Sequence, residues 1–257
     1  MEWIDTHTHL YLPQFDEDRA EVMKRCETSG VNRLLLPNID TDSLDQVDQM
    51  VKDYPGRAIP MMGLHPCSVG EDVEEQLSRI GEILFNDPQR FVAVGEIGID
   101  LYWDKSTFEK QVSAFKRQIE WAKELNKPIV IHARDSFDEV FAVLDEVKDP
   151  RLFGVFHCFT GTEAQALKAI DLGFYLGIGG VLTFKNGGLD QSLANIPIDH
   201  MVLETDSPYL APVPYRGKRN ESSYIPLIGE KLAQLKEIPL DEVAKVTTRN
   251  AVKLFSL

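Results

Sequence analysis

The sequence predicts an α/β protein of the (β/α)8 barrel class, on three observations. Short apolar segments alternate with longer amphipathic ones along all 257 residues. Eight such pairs fit the length of an eight-unit barrel, which is about 250 residues. Apolar runs such as 33–36 and 153–156 lack polar alternation, which is typical of parallel strands buried on both faces. No linker, repeat or low-complexity tract interrupts the chain, so we expect a single domain over residues 1–257.

The predicted strands and helices follow each other in strict alternation. The eight strands are expected at Trp3–His9, Arg33–Ile39, Ala58–His65, Phe91–Ile99, Pro128–Ala133, Leu152–Phe159, Phe174–Gly179 and Met201–Asp206. Helices are expected between them at Asp16–Ser29, Thr41–Lys52, Glu71–Phe85, Thr107–Leu125, Ser136–Val147 and Glu163–Leu172. In the helix at 107–125, apolar residues recur every three or four positions from Phe108 to Ala122, which indicates one buried face.

The pattern is less regular after the seventh strand. Asn186–Gly188 interrupts the next connection, so the helix there must be short. A proline-rich stretch from Pro208 to Pro226 then predicts a long functional loop, followed by closing helices near 226–236 and 240–255. A doubly wound open sheet is the competing architecture. That fold needs a glycine-rich turn after the first strand, where this chain has Tyr11–Pro13.

Composition limits the class of protein. A net charge of −14 argues against broad, non-specific binding to nucleic acid, although it allows a local basic patch. The three cysteines are scattered and odd in number, which favours reduced thiols over disulfides. The sequence shows no secretory signal and no long apolar run. We therefore expect a cytoplasmic protein without membrane contact, and no obligate protein partner is evident.

Metal-binding side chains stand near the ends of the predicted strands. His7 and His9 are two positions apart and share a strand face. Strand ends of a barrel converge at its C-terminal pole, so the candidates from all strands should meet there. The predicted metal ligands are His7, His9, Glu96, His132, His157 and Asp206.

Six ligands exceed the capacity of one tetrahedral ion and suit two ions about 3.5–4 Å apart with a shared carboxylate and water. Glu96 is the natural bridge because a carboxylate has two oxygens. One ion would take His7, His9, Glu96 and Asp206, and the other Glu96, His132 and His157. The mixed donors suit zinc, manganese, nickel or iron, and magnesium less well, so the identity of the metal stays open. With Asp206 accepting a proton, the bridging water becomes a hydroxide nucleophile, which predicts a hydrolase.

The chain resembles the TatD family of metal-dependent hydrolases within the amidohydrolase superfamily. The matching segments, in family order, are Asp5–His9, Gly63–Pro66, Val94–Asp100, Ile131–Arg134, His157–Gly161 and Leu203–Pro208. The resemblance implies a TIM-type barrel, a divalent-metal centre with the ligands above, and hydrolysis of DNA by a 3′–5′ exonuclease. Many other amidohydrolases bridge their metals with a modified lysine on strand four, where this chain has Glu96. One departure is Ser222, which stands where the family often has proline after Arg216–Glu221.

The expected substrate contacts rest on weaker signals. They are His65, Arg134, Tyr209, Arg216 and Arg219. Arg216 and Arg219 lie with Lys218 in the densest positive cluster, directly after the strand that carries Asp206. The simpler alternatives are a solvated loop for these cations and, for His65, a histidine that merely ends strand three. Likewise Tyr102, Trp103 and Tyr209 could stack on a base or seal the top of the barrel.

Three functions compete at this point. The first is a metal-dependent deoxyribonuclease that acts on a DNA end, with single-stranded DNA or another phosphodiester as its partner. The second is an ester or amide hydrolase that uses the same two-metal centre on a small molecule or an acylated RNA. The third is a metal-holding scaffold without turnover, which ranks last because all six ligands are present.

Overall fold

Eight parallel strands form the centre of the computed structural model, which describes residues 1–257. They are β1 (Trp3–Asp5), β2 (Val31–Leu36), β3 (Ala58–Pro60), β4 (Val94–Asp100), β5 (Ile129–Arg134), β6 (Gly154–Phe156), β7 (Phe174–Ile178) and β8 (Met201–Leu203). Each strand pairs with the next along the chain from β1 to β3 and from β4 to β8.

Backbone hydrogen bonds at two junctions complete the ring of strands. Between β1 and β8, Thr6 N donates to Leu203 O at 3.0 Å. Between β3 and β4, Gly95 N donates to Met62 O at 2.9 Å. The predicted (β/α)8 barrel is therefore confirmed. Most strands are shorter than predicted, so His7 and His9 lie in the segment that follows β1.

Helices follow the strands around the outside. They are α1 (Arg19–Thr28), α2 (Leu44–Asp53), α3 (Val73–Asn86), α4 (Phe108–Leu125), α5 (Phe137–Glu146), α6 (Glu163–Asp171), α7 (Leu189–Leu193), α8 (Ile225–Lys236) and α9 (Leu240–Phe255). The helix after β7 is short, as predicted, with five residues. None of these helices has both the length and the apolar composition that crossing a membrane requires.

Two separate apolar cores position the strands. The larger has 55 buried residues and packs the outer faces of the strands against the helices. The smaller has 10 residues, including one from each of β1, β2, β5, β6 and β8 and three from the end of α9, and fills the barrel interior. Val130, Val155 and Val202 belong to this inner core. Because strand side chains alternate, the residues two positions later also point inward, at the C-terminal pole. These residues are His132, His157 and Glu204.

A buried polar junction joins β1 to β8. Asp5 Oδ1 accepts hydrogen bonds from His7 N at 3.2 Å and Thr205 N at 3.0 Å. Asp5 Oδ2 accepts a third from Thr205 Oγ1 at 2.5 Å. Burial raises the pKa of Asp5 to about 7, although these hydrogen bonds act in the opposite direction. The junction fixes the chain next to His7 relative to the chain next to Asp206.

Replacing Asp5 with alanine should destabilise the fold, because it leaves buried donors without an acceptor. We expect the free energy of unfolding to fall by about 2–4 kcal/mol. Urea unfolding followed by circular dichroism measures this. The control is Glu124→Ala on the exposed side of α4, which should change stability by less than about 0.5 kcal/mol. Equal stability of the two variants would contradict a structural role for the junction.

Candidate metal centre

Four predicted ligands form a first group at the C-terminal pole. His7 Nε2 and His9 Nε2 lie 3.3 Å apart. Glu96 Oε2 is 3.2 Å from His7 Nε2, and Asp206 Oδ1 is 3.5 Å from His9 Nε2. Asp206 follows β8 in a left-handed conformation with φ 55°, which aspartate adopts more readily than most residues. Nitrogen and oxygen donors thus surround one small volume.

A second group surrounds the other oxygen of Glu96. Glu96 Oε1 lies 2.8 Å from His132 Nδ1 and 2.9 Å from His157 Nε2. Glu96 is the third residue of β4, so it is deeper in the strand than its predicted position near the end. Its two oxygens face different imidazoles, which is the arrangement that a bridging carboxylate requires.

The structure also brings His65 into the second group. His65 Nε2 is 3.3 Å from Glu96 Oε1 and 3.2 Å from His132 Nδ1. His65, Glu96 and His132 together form a cluster whose geometry can hold a cation. His65 also lines the cavity above these ligands, so its role as a substrate contact stays a prediction.

The electrostatics of the pole favour positive charge. Burial raises the pKa of Glu96, but the imidazoles of His157, His65 and His7 outweigh burial and hold this pKa well below its ordinary value. Burial lowers the pKa of His157, and the carboxylates of Glu96 and Glu204 outweigh it, so this pKa rises well above its ordinary value. Without a metal, protons compensate the buried carboxylates.

The donor set fits a divalent cation better than protons. The rings of His7 and His157 are stacked with centroids 3.8 Å apart, so two protonated rings would repel each other. In this stack His7 Nδ1 is buried without a hydrogen-bond partner and His157 Nδ1 faces Glu204 Oε1 at 3.3 Å, while both Nε2 atoms face Glu96. Cations bound by these Nε2 atoms would satisfy Glu96 without placing a charge on each ring.

Hydrogen bonds with neighbouring side chains fix which ring nitrogen of His9 and of His132 faces the other ligands. Tyr11 donates its hydroxyl to Pro37 O at 2.7 Å, so His9 Nδ1–H donates to the Tyr11 oxygen at 2.8 Å. His132 Nε2–H donates to Asp100 Oδ2 at 2.8 Å. In both rings the other nitrogen keeps its lone pair for a ligand.

Sequence reasoning missed the roles of Tyr11 and Asp100. For Asp100 the available signal was spacing, because it is four residues after Glu96 on β4. Even spacing brings side chains to the same face of a strand, as for Glu96 and Asp100, whereas Tyr11 lies in the turn after His9, where spacing gives no such signal.

Glu204 supports His157, and one glycine makes room for it. Glu204 Oε1 lies 3.3 Å from His157 Nδ1 and accepts a hydrogen bond from Cys158 N at 2.5 Å. A Cβ atom on Gly177 in β7 would meet Glu204 Oε2 at 2.2 Å and the Cα of His157 at 3.1 Å. Only glycine at position 177 leaves this space.

Above the pole lies a cavity of about 940 Å³. Glu96 and Asp206 line its floor, and the predicted contacts Arg134, Tyr209 and Arg216 line its walls together with Lys218. Its size is that of a ligand site.

The structure places Arg219 away from the other predicted substrate contacts. The guanidinium of Arg219 donates to Asp18 at 2.6 and 2.8 Å and lies over the ring of Phe15, away from the cavity lining. Asp18 is distant in sequence, so this partner was invisible to a reading of the loop alone. The cations that reach the cavity from this loop are Arg216 and Lys218.

Comparison with known proteins agrees with this geometry. The model of the family described as TatD related DNase matches residues 4–256. The chain belongs to the TatD family. It is a member of a family of metal-dependent hydrolases, as the resemblance implied. It is 39% identical over 254 residues to the uncharacterized metal-dependent hydrolase YabD of Bacillus subtilis. The match covers 98% of this chain and 98% of YabD.

Two further proteins resemble this chain, one in sequence and one in structure. The metal-dependent hydrolase YcfH of Escherichia coli is 39% identical over 197 residues, which cover 76% of this chain and 72% of YcfH. The crystal structure of YjjV, a TatD homologue from Escherichia coli K12, superposes with a TM-score of 0.92 at 28% identity. That superposition covers 99% of this chain and 98% of YjjV.

Gly177→Ala should weaken metal binding, because the new methyl group displaces Glu204 from His157. We expect metal affinity to fall about 10–100-fold, the usual effect of disturbing a residue that orients a ligand. Calorimetric titration of the stripped protein with zinc measures this. The matched control is Gly179→Ala, where the nearest atom to the added Cβ is 3.7 Å away. If both variants bind zinc equally, Glu204 does not orient His157.

Proposed function

We propose that this TatD protein hydrolyses phosphodiester bonds at an end of single-stranded DNA, with two divalent metal ions. The observation that carries the proposal is Glu96, whose two oxygens each face a separate set of imidazoles. One ion would bind to His7, His9, Glu96 and Asp206, and the other to Glu96, His132 and His157. When bound, the ions would neutralise phosphate charge and lower the pKa of a water molecule.

Asp206 is the group that can receive the proton of the attacking water. Burial raises the pKa of Asp206, but the hydrogen bond with His9 and the nearby imidazoles outweigh burial and lower it. Asp206 is therefore ionised at neutral pH, and its side chain is 15% exposed toward the cavity. The water oxygen bonds to phosphorus as the ester P–O bond breaks, and the proton passes to the leaving oxygen.

Charge at the cavity wall supports a phosphate substrate. The chain is acidic overall. Apart from Glu96, Asp100 and Asp206, however, every charged side chain that lines the cavity is a cation. These cations are Arg134, Arg216 and Lys218. The guanidinium of Arg216 lies 3.6 Å from the ring centroid of Phe184, which holds it at the mouth without a carboxylate partner. Such cations can bind the phosphates that flank the cleaved bond.

Glu96→Ala should abolish metal-dependent turnover and lower the bound metal, because the shared ligand is lost. Metal content by mass spectrometry and cleavage of end-labelled single-stranded DNA measure the two effects. His200→Ala is the control, since His200 precedes β8 at the opposite pole and should leave both quantities unchanged. Full activity of Glu96→Ala would refute the bridging role.

A parallel assay on carboxyl esters and an acylated RNA tests the choice of bond. We expect cleavage of DNA and little turnover of the esters. Efficient ester hydrolysis with no DNA cleavage would replace the nuclease with a carboxyl-ester hydrolase built on the same centre.

Arg216 and Arg219 give a matched test of the cavity cations. Arg216→Ala should raise KM for DNA and reduce the salt dependence of binding by about one unit of log–log slope, as expected for one lost phosphate contact. Arg219→Ala should leave KM unchanged, because Arg219 is bound to Asp18. Titrations at several salt concentrations measure both effects. An unchanged KM in Arg216→Ala together with a raised KM in Arg219→Ala would contradict the assignment of Arg216 as the phosphate contact.

A further inference from the structure

A stacked group of side chains stands at the mouth of the cavity, next to the metal centre. The guanidinium of Arg134 lies 3.8 Å from the ring centroid of Tyr102 and 5.4 Å from that of Trp103. The rings of Tyr102 and Trp103 meet edge to face at 4.9 Å. We call these three residues the stacking platform.

The platform is fixed to the metal centre by Asp100. Asp100 Oδ1 accepts hydrogen bonds from the backbone N of Tyr102 and of Trp103, each at 3.0 Å. Asp100 Oδ2 accepts from His132, a predicted metal ligand. One buried carboxylate therefore sets the distance between the platform and the reacting centre, and the platform needs no ligand to become ordered.

The platform does not serve to cover the barrel. Trp103 is 69% exposed and Tyr102 is 52% exposed, so both rings present most of their surface to solvent. By contrast, Trp3 is 1% exposed and packs in the larger core. An exposed indole that also lines the cavity is available for a ligand.

Arg134 is equally available. Several other arginines of the chain are paired with acids, as in the contacts of Arg25 with Glu221 and of Arg219 with Asp18. Arg134 forms no ion pair and no side-chain hydrogen bond, and only the aromatic rings hold it. Its donors point to no protein acceptor, so they are free for an anion beside the stacked rings.

We propose that the stacking platform is a nucleobase subsite, in which an unpaired base stacks on Trp103 and Arg134 binds an adjacent phosphate. The proposal rests on the proposed function and specifies its substrate. An unpaired base of a single strand is free to leave its neighbours and stack on Trp103, whereas a base of a duplex, even at its end, is held by its pairing partner and must be unpaired first. The subsite therefore selects single-stranded over double-stranded ends, and it is indifferent to base identity because every base has a π-face.

Tryptophan fluorescence tests the subsite directly. The probe is a phosphorothioate-linked oligothymidylate, which resists hydrolysis, and it is added to the purified full-length protein. We expect the emission of Trp103 to be quenched on binding, and an abasic oligomer of equal length to bind about tenfold more weakly. Trp103→Ala should lose the quenching and bring the ratio of the two affinities toward one. Trp121→Phe on α4 is the matched control and should keep both the quenching and the ratio.

Two results would overturn the subsite. One is equal affinity of the wild-type protein for the oligothymidylate and the abasic oligomer. The other is an unchanged affinity ratio in Trp103→Ala. Cleavage of ordinary oligothymidylate is measured in parallel, so that the two proposals fail separately. Base-dependent binding without cleavage would support the subsite and contradict the nuclease, whereas cleavage without base-dependent binding would support the nuclease alone.

Discussion

The burial of Glu96 is the constraint on which the pole of this barrel depends. An ionised carboxylate taken out of water costs several kcal/mol unless opposite charge and hydrogen bonds compensate it. Glu96 has almost no solvent contact, and imidazoles surround both of its oxygens. The neighbouring elements therefore have to deliver cationic or metal-binding groups to this one point. A centre of this kind favours a divalent cation, because without one the buried carboxylates raise the pKa of the neighbouring His157 well above its ordinary value.

The barrel meets this requirement through strand alternation and junction chemistry together. His132 and His157 follow inner-core valines by two positions, so packing of the interior also aims the ligands. His7 and Asp206 come from the segments after β1 and β8, where alternation no longer operates. There, the hydrogen bonds of Asp5 with both chain segments add to the backbone bonds between them, such as that from Asp206 N to His7 O at 2.9 Å. Strand alternation and the hydrogen bonds of Asp5 thus place different ligands at the same site.

Much of this was predictable because the information is local. The eight strands and the polar residues near their ends appear in the sequence as apolar runs interrupted by histidine or acid, and the structure brings all six predicted ligands together. What could not be predicted depends on distant partners. The pairing of Arg219 with Asp18 spans 201 residues, and the position of Glu96 within β4 depends on pairing with β5, whose register shifts between Val94 and Ile97. The link from Asp100 to His132 likewise requires two strands in their final register.

The inner core carries a consequence for how the molecule is made. The floor of the barrel interior is formed by Ala251, Leu254 and Phe255 of α9, which pack against residues from the strands. The ribosome synthesises α9 after all eight strands. One end of the barrel interior of the growing chain is therefore open to water until α9 packs against it. Until then the inner faces of the strands expose apolar surface, to which chaperones can bind.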